Sequence, residues 1–133
     1  MEKHKPRILI IEDDEYSREA IEHLLNAKGC ETKSAAGGIS GYRAARRFPP
    51  DVIVLDLNLP DIDGQRVLRK FRGNRVLGPV PIIVITGYGP DEIPAGVSSS
   101  ADFCITKPAS FDDVIQVIFN LLRGAAASCA GIS

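Results

Sequence analysis

Three short runs in this chain are wholly apolar and stop abruptly at a polar side chain. They are Ile8-Leu9-Ile10-Ile11 before Glu12-Asp13-Asp14, Val52-Ile53-Val54-Leu55 before Asp56, and Ile82-Ile83-Val84-Ile85 before Thr86. A strand that shows no apolar/polar alternation is covered on both faces, which is the habit of a parallel sheet. Ligands of such a sheet sit outside the carboxyl ends of its strands. The sequence therefore places Asp56, a single acid after a buried strand, at the mouth of a crevice.

The intervening segments read as helices. Arg7 to Ile11 is the first strand, and an amphipathic helix follows through Lys28, capped by Asp14 or Asp13 and ended by Gly29. Cys30 to Ala35 is a weaker strand. Ile39 to Phe48 is a short helix with Tyr42, Ala45 and Phe48 inward, stopped by Pro49-Pro50. After the third strand, Pro60 to Gly64 is a loop in which Gly64 eases a turn. Gln65 to Arg72 is a helix that buries Val67, Leu68 and Phe71. Val80 to Ile85 is the fourth strand. The stretch Pro90 to Ser100 should hold a helix, but Pro94, Gly96 and three serines weaken it. Phe103 to Ile105 is a short fifth strand, and Ser110 caps a last helix that Gly124 ends. Five strands alternating with five helices specify a doubly wound α/β sheet of flavodoxin-like type, because crossovers between parallel strands are right-handed. The expected division is a disordered segment 1–6, one domain over 7–123 and a loose tail over 124–133.

Composition narrows the class. The chain has 133 residues, 44% of them hydrophobic and 25% charged, which suits one globular domain. A net charge of −1 gives no overall bias toward nucleic acid or an anionic membrane. No apolar run is long enough to span a bilayer. Three scattered cysteines, Cys30, Cys104 and Cys129, form neither a disulfide framework nor a zinc pattern. Free thiols in a cytoplasmic protein are the simple expectation.

The strand ends together make a constellation. The first strand ends at Glu12-Asp13, the third at Asp56 and the fourth at Thr86, and the fifth leads to Lys107. Clustered carboxylates repel one another and call for a cation. Oxygen ligands with room for water suit Mg²⁺. Lys107 would then hold a phosphoryl group as a point charge, Thr86 would donate a hydrogen bond to it, and the acceptor would be a carboxylate.

With these residues the chain resembles the receiver domains of two-component response regulators. The resemblance covers about residues 7 to 123. It rests on Ile8-Leu9-Ile10-Ile11-Glu12-Asp13-Asp14-Glu15, Asp56-Leu57-Asn58-Leu59-Pro60-Asp61-Ile62-Asp63-Gly64, Ile85-Thr86-Gly87-Tyr88-Gly89 and Lys107-Pro108. It implies that Asp56 accepts a phosphoryl group from the phosphohistidine of a sensor histidine kinase or phosphotransfer protein. It implies Mg²⁺ held by Asp13, Asp56 and the Asn58 carbonyl, with Glu12 acting through a metal-bound water. Thr86 and Lys107 would bind the phosphoryl oxygens, and Asn58 and Tyr88 would tune the phosphoryl lifetime. The Lys107-Pro108 bond would be cis. Such a domain catalyses only its own phosphorylation and dephosphorylation and is not a metabolic enzyme.

Other classes fail on spacing. An EF-hand loop starting at Asp56 would meet Pro60 at its fifth position. A haloacid-dehalogenase-type phosphatase would want a second Asp where Asn58 stands, so a small Mg²⁺-dependent phosphatase is a distant alternative. Flavin and dinucleotide sites need a glycine-rich phosphate loop where this chain has three acids. The nearer alternative is a degenerate receiver that binds partners without phosphorylation.

One departure stands out. Receivers usually carry an aromatic residue three positions before the lysine, and here that position is Cys104, with Phe103 beside it. Either Phe103 substitutes through a local bulge or the switch runs by another route. The weak fourth helix leaves dimerisation open. Asp61 and Asp63 read as loop residues, and His4 and His23 as solvated. The expectation is a stand-alone or excised receiver, with no effector domain after Gly124, no direct nucleic-acid binding and an unknown protein partner.

Overall fold

The computed structural model describes residues 5–124. The expected segments 1–6 and 124–133 thus lie largely outside the described residues. The strands are β1 (Arg7–Ile11), β2 (Glu31–Ala35), β3 (Val52–Asp56), β4 (Ile82–Thr86) and β5 (Phe103–Thr106). The helices are α1 (Glu15–Ala27), α2 (Gly38–Arg47), α3 (Gly64–Gly73), α4 (Ala95–Ser100) and α5 (Phe111–Leu122), with a short 3₁₀ turn at Pro90–Glu92. All strand pairs are parallel, in the order β2-β1-β3-β4-β5. This is the flavodoxin-like doubly wound sheet that the sequence predicts.

The strand residues divide alternately between two cores, as a pleated sheet requires. Ile8, Ile10, Val52, Val54, Ile83, Ile85 and Ile105 face α1 and α5. Leu9, Ile11, Ile53, Leu55, Ile82, Val84 and Cys104 face α2, α3 and α4. Every residue of β3 and β4 is buried, so the central strands carry no solvent face. The edge strand β2 is different: Glu31 and Lys33 point outward, while the Thr32 and Ser34 hydroxyls bond to the Glu22 carboxylate on α1.

Boundaries differ from expectation where backbone donors are already committed. β2 begins at Glu31 rather than Cys30, because the Cys30 amide closes the end of α1 on the Leu25 carbonyl, past Gly29 at φ +91°. β4 begins at Ile82 rather than Val80. The Val80 amide closes a turn on the Leu77 carbonyl, and Pro81 has no amide to give the ladder. α4 is short, as its composition predicts, with Val97 its one buried residue.

One expectation needs correction. Cys30 is a free, buried thiol, but Cys104 is disulfide-bonded. Cys129 lies outside the described residues. Asp61 and Asp63 lie in the loop, as expected, and each also caps a helix. Asp63 caps α3 by accepting the Gln65 amide, and Asp61 caps α2 from across the fold.

Candidate functional site

The chain leaves β1 for β2 on one side and returns to β3 on the other. The crevice at that switch point opens over the carboxyl ends of β1 and β3. Glu12 and Asp13 follow β1, and Asp56 is the last residue of β3. Carboxylate oxygens of the three lie within 4.8 Å of one another. Asp56 is 1% exposed and Glu12 7% exposed, whereas Asp13 is open to solvent. Three acids this close are costly unless a cation shares the site. An all-oxygen donor set with one open member fits a hard divalent ion.

Each Asp56 oxygen has a separate partner. Oδ1 accepts the Asn58 amide at 2.8 Å, and Oδ2 accepts Lys107 Nζ at 2.8 Å. Burial of the Lys107 ammonium opposes its charge. The hydrogen bond and charge of Asp56, helped by Glu12 and Asp13, outweigh that and raise its pKa. Glu12 is pushed the other way. Burial first, then the nearby Asp56 carboxylate, lift its carboxyl to about 7 against the pull of the Asp14 amide that it accepts.

Thr86 ends β4 fully buried, with its Oγ accepting the Tyr88 amide at 3.1 Å. Its carbonyl takes the Lys107 amide at 2.7 Å, tying the β5 end to β4. The Lys107-Pro108 peptide is cis. Asn58 and Tyr88 are exposed around the mouth. The fold thus brings together Glu12, Asp13, Asp56, Asn58, Thr86, Tyr88 and Lys107 at one edge. Phe103 and Cys104 lie outside this group, one strand length from the lysine.

Their orientation answers the question of the bulge. Phe103 to Thr106 pair one for one with Ile83 to Thr86. Without an extra residue, Phe103 falls on the α1/α5 side and Cys104 on the side of Val97 and α4. Phe103 therefore does not take the place of the aromatic that receivers usually carry at the Cys104 position.

Two supporting residues escaped the sequence reading. Arg18 on α1 donates from Nη1 to the Glu12 carbonyl at 2.8 Å and the Asp13 carbonyl at 3.4 Å. It pins the loop that carries both acids and adds positive charge behind them. An arginine on an amphipathic helix normally reads as solvated, and only the path of the loop brings carbonyls to it. Asp61 accepts the Gly38 and Ile39 amides at 2.9 and 3.0 Å. Those two bonds hold its carboxyl below the ordinary range and fasten the loop after Asp56 to α2. The same loop meets α3 so closely that a Cβ at Gly64 would lie 2.5 Å from Leu57 Cα. Gly64 is thus required for a backbone contact rather than for a turn.

Residues 8–119 match the family model for the response regulator receiver domain. The chain belongs to this family. It is 35% identical over 120 residues to the DNA-binding dual master transcriptional regulator RpaA of a Synechocystis species, covering 89% of this chain and 49% of that protein. It is 40% identical over 104 residues to the transcriptional regulatory protein AfsQ1 of Streptomyces coelicolor, covering 77% and 45%. The receiver thus spans about half the length of these curated relatives. Among solved structures, a CheY-like receiver from Methanospirillum hungatei superposes with a TM-score of 0.81 at 27% identity, over 90% of this chain and 95% of that one. CheY4 of Vibrio cholerae gives a TM-score of 0.81 at 23% identity over 88% and 98%, a likeness of fold. The relatives are response regulators, which act in two-component phosphorelays rather than as classical enzymes. Among the described residues no helix is long and apolar enough to cross a membrane.

Proposed function

We propose that Asp56 is the phosphoacceptor of this receiver, with a sensor histidine kinase or phosphotransfer protein as donor. The observation that carries this reading is the pairing of a nearly fully buried Asp56 carboxylate with Lys107 at 2.8 Å, beside two further acids. A buried carboxylate with one cation and two acid neighbours is poor structural design. It is apt for a group that gains a phosphoryl and a metal.

Glu12, Asp13, Asp56 and the Asn58 carbonyl would hold Mg²⁺. When bound, the ion neutralises charge on the phosphoryl oxygens and aligns them with the acceptor. Asp56 supplies the oxygen that forms the new P–O bond as the donor's P–N bond breaks. The donor ring, already protonated at its second nitrogen, leaves as neutral imidazole, so Asp56 has no proton to supply. Lys107 shifts its hydrogen bond from the free carboxylate to a phosphoryl oxygen, and the Thr86 hydroxyl turns from accepting the Tyr88 amide to donating toward the phosphoryl group. Asn58 and Tyr88, at the mouth, set the access of hydrolytic water. Because Phe103 faces the opposite core, the message leaves through Thr86 and the segment from Tyr88 to α4. Protein partners receive it there.

Intact mass after incubation with acetyl phosphate tests the assignment. A Mg²⁺-dependent gain of one phosphoryl group, absent in Asp56→Asn, is the expected result. No gain in the wild type would leave a phosphorylation-independent interaction module. Sustained turnover of an added phosphate ester would instead mark a phosphatase.

A further inference from the structure

The net charge of −1 hides an uneven distribution. α2 carries Arg43, Arg46 and Arg47 and no acid, and α3 carries Arg66, Arg69, Lys70 and Arg72 and no acid. The two helices pack side by side. Arg75 follows directly in the next loop. Arg72 is turned inward, spending its guanidinium on three carbonyls and Asp102. The other cations are exposed, and among the described residues none of them pairs with a carboxylate.

Helix dipoles explain part of this pattern. Arg46, Arg47 and Lys70 lie in last turns, where cations are favoured. Arg43 lies before the last turn of α2, and Arg66 sits in the first turn of α3, where a cation is opposed. Arg43 with Arg46 and Arg47, and Arg66 with Arg69 and Lys70, stand at spacings of three and four, where like charges repel. Among the described residues these cations find no carboxylate partner, so the face repels itself.

The face also holds an internally bonded tyrosine and an apolar hollow. Tyr42 of α2 stacks against Phe71 of α3 at 5.4 Å, accepts a hydrogen bond from the Asn74 side chain at 3.0 Å and lies under the Lys70 ammonium. Between the ends of the two helices is a hollow of about 260 Å³ lined by Ala45, Arg46, Pro49, Asn74, Val76 and Leu77. Val76 is 73% exposed at its rim.

We propose that this α2–α3 face docks an acidic segment of a partner protein, with one apolar side chain in the hollow and flanking carboxylates on Arg46, Arg75 and their neighbours. Arginine forks match carboxylates in bidentate fashion. A nucleic acid fits less well. The hollow lies at helix carboxyl ends, whose carbonyls oppose phosphate. The ring of Tyr42 is covered by Lys70, so it offers no platform for base stacking. This reading does not depend on phosphorylation of Asp56, because the hollow is at the sheet edge remote from the carboxylates.

Fluorescence anisotropy of the whole chain tests it. The probes are a fluorescein-labelled peptide of repeating Asp-Glu-Leu triplets and a labelled oligothymidylate of equal charge. The peptide should bind the wild type more tightly, and binding should weaken by about tenfold or more in Arg46→Glu/Arg75→Glu. Val76→Ser, which removes the apolar contact without adding charge, should weaken the peptide and leave the oligothymidylate unchanged. The double variant Arg46→Gln/Arg75→Gln serves if charge reversal impairs folding, and acetyl phosphate labelling of Asp56 should stay at the wild-type level in every variant. Equal or tighter binding of the oligothymidylate, no binding of either probe, or peptide binding that survives the arginine substitutions would overturn the proposal. So would concentration-dependent self-association that the same substitutions abolish, which would assign the face to a second copy of this chain.

Discussion

The two helices beside β5 are built on opposite plans. α5 has twelve residues, a Ser110 cap on the Asp113 amide and four buried side chains, Val114, Ile115, Val117 and Ile118. α4 has six residues, no side-chain cap and one buried side chain, Val97. The outer half of the receiver therefore pairs a fixed wall with a lightly held one. The lightly held wall is continuous with Thr86, whose neighbour segment leads into it. Low local stability is what a switching element requires. The end of α4 is nevertheless anchored, since Arg72 Nε donates to the Ser100 carbonyl at 2.7 Å and Nη2 pairs with Asp102 at 2.7 Å. Motion in α4 should thus be a pivot about its C-terminal end.

Core truncation should separate the two helices most widely. Ile118→Ala removes a fully buried side chain from α5 and should cost about 3 kcal/mol of global stability in urea unfolding. Val97→Ala should shift the global midpoint by less than about 1 kcal/mol, because α4 opens without the rest. Equal losses would abolish the distinction between the walls.

Amide exchange reads the same difference without mutation. Exchange in Ala95–Ser100 should be about 100-fold faster than in Phe111–Leu122 in the unphosphorylated protein. With Cys104 where the family has an aromatic, beryllofluoride and Mg²⁺ should raise protection over 90–105 by less than about tenfold. Strong protection there would show that the switch does not need the aromatic.

Arg72→Met tests the anchor. It removes three carbonyl contacts and the Asp102 pair from a half-buried guanidinium, a loss of about 2 kcal/mol. Exchange should rise at Ser100 to Asp102 before it rises at α5.

The capping of α2 gives a smaller, pH-dependent effect. Its own N-cap, Gly37, has no side chain, and Asp61 supplies the missing acceptor. Asp61→Ala should cost about 1 kcal/mol at neutral pH. The Asp61 pKa is lower in the folded chain than in the unfolded one. Its contribution is therefore present above the ordinary carboxylate range and lost as pH falls through the lowered value. The gap between wild type and variant should close in acid, as thermal melts at a series of pH values would show.

Much of the molecule was legible in the linear chain because burial and turn chemistry act locally. Unbroken apolar runs could only be central strands, and the polar residue ending each run had to lie on one edge. This is why Glu12, Asp13, Asp56, Thr86 and Lys107 were identifiable as a group. Composition also foretold the weak α4. The roles passed over depend on the path of a loop or on partners distant in sequence. Arg18 reaches carbonyls five and six positions back only because the loop after β1 curls over α1. Asp61 caps a helix that began 23 residues earlier, and Arg72 holds a turn that forms 28 to 30 residues later.

Periodicity and spacing thus determined the sheet, its polar edge and the chemical type of each group there. The tertiary structure decided that Phe103 faces away from α4, that an inward arginine braces the short α4, and that seven exposed cations share one face without a carboxylate partner among the described residues. Those outcomes come from where helices settle on the sheet, a matter of packing between distant residues that no local pattern encodes.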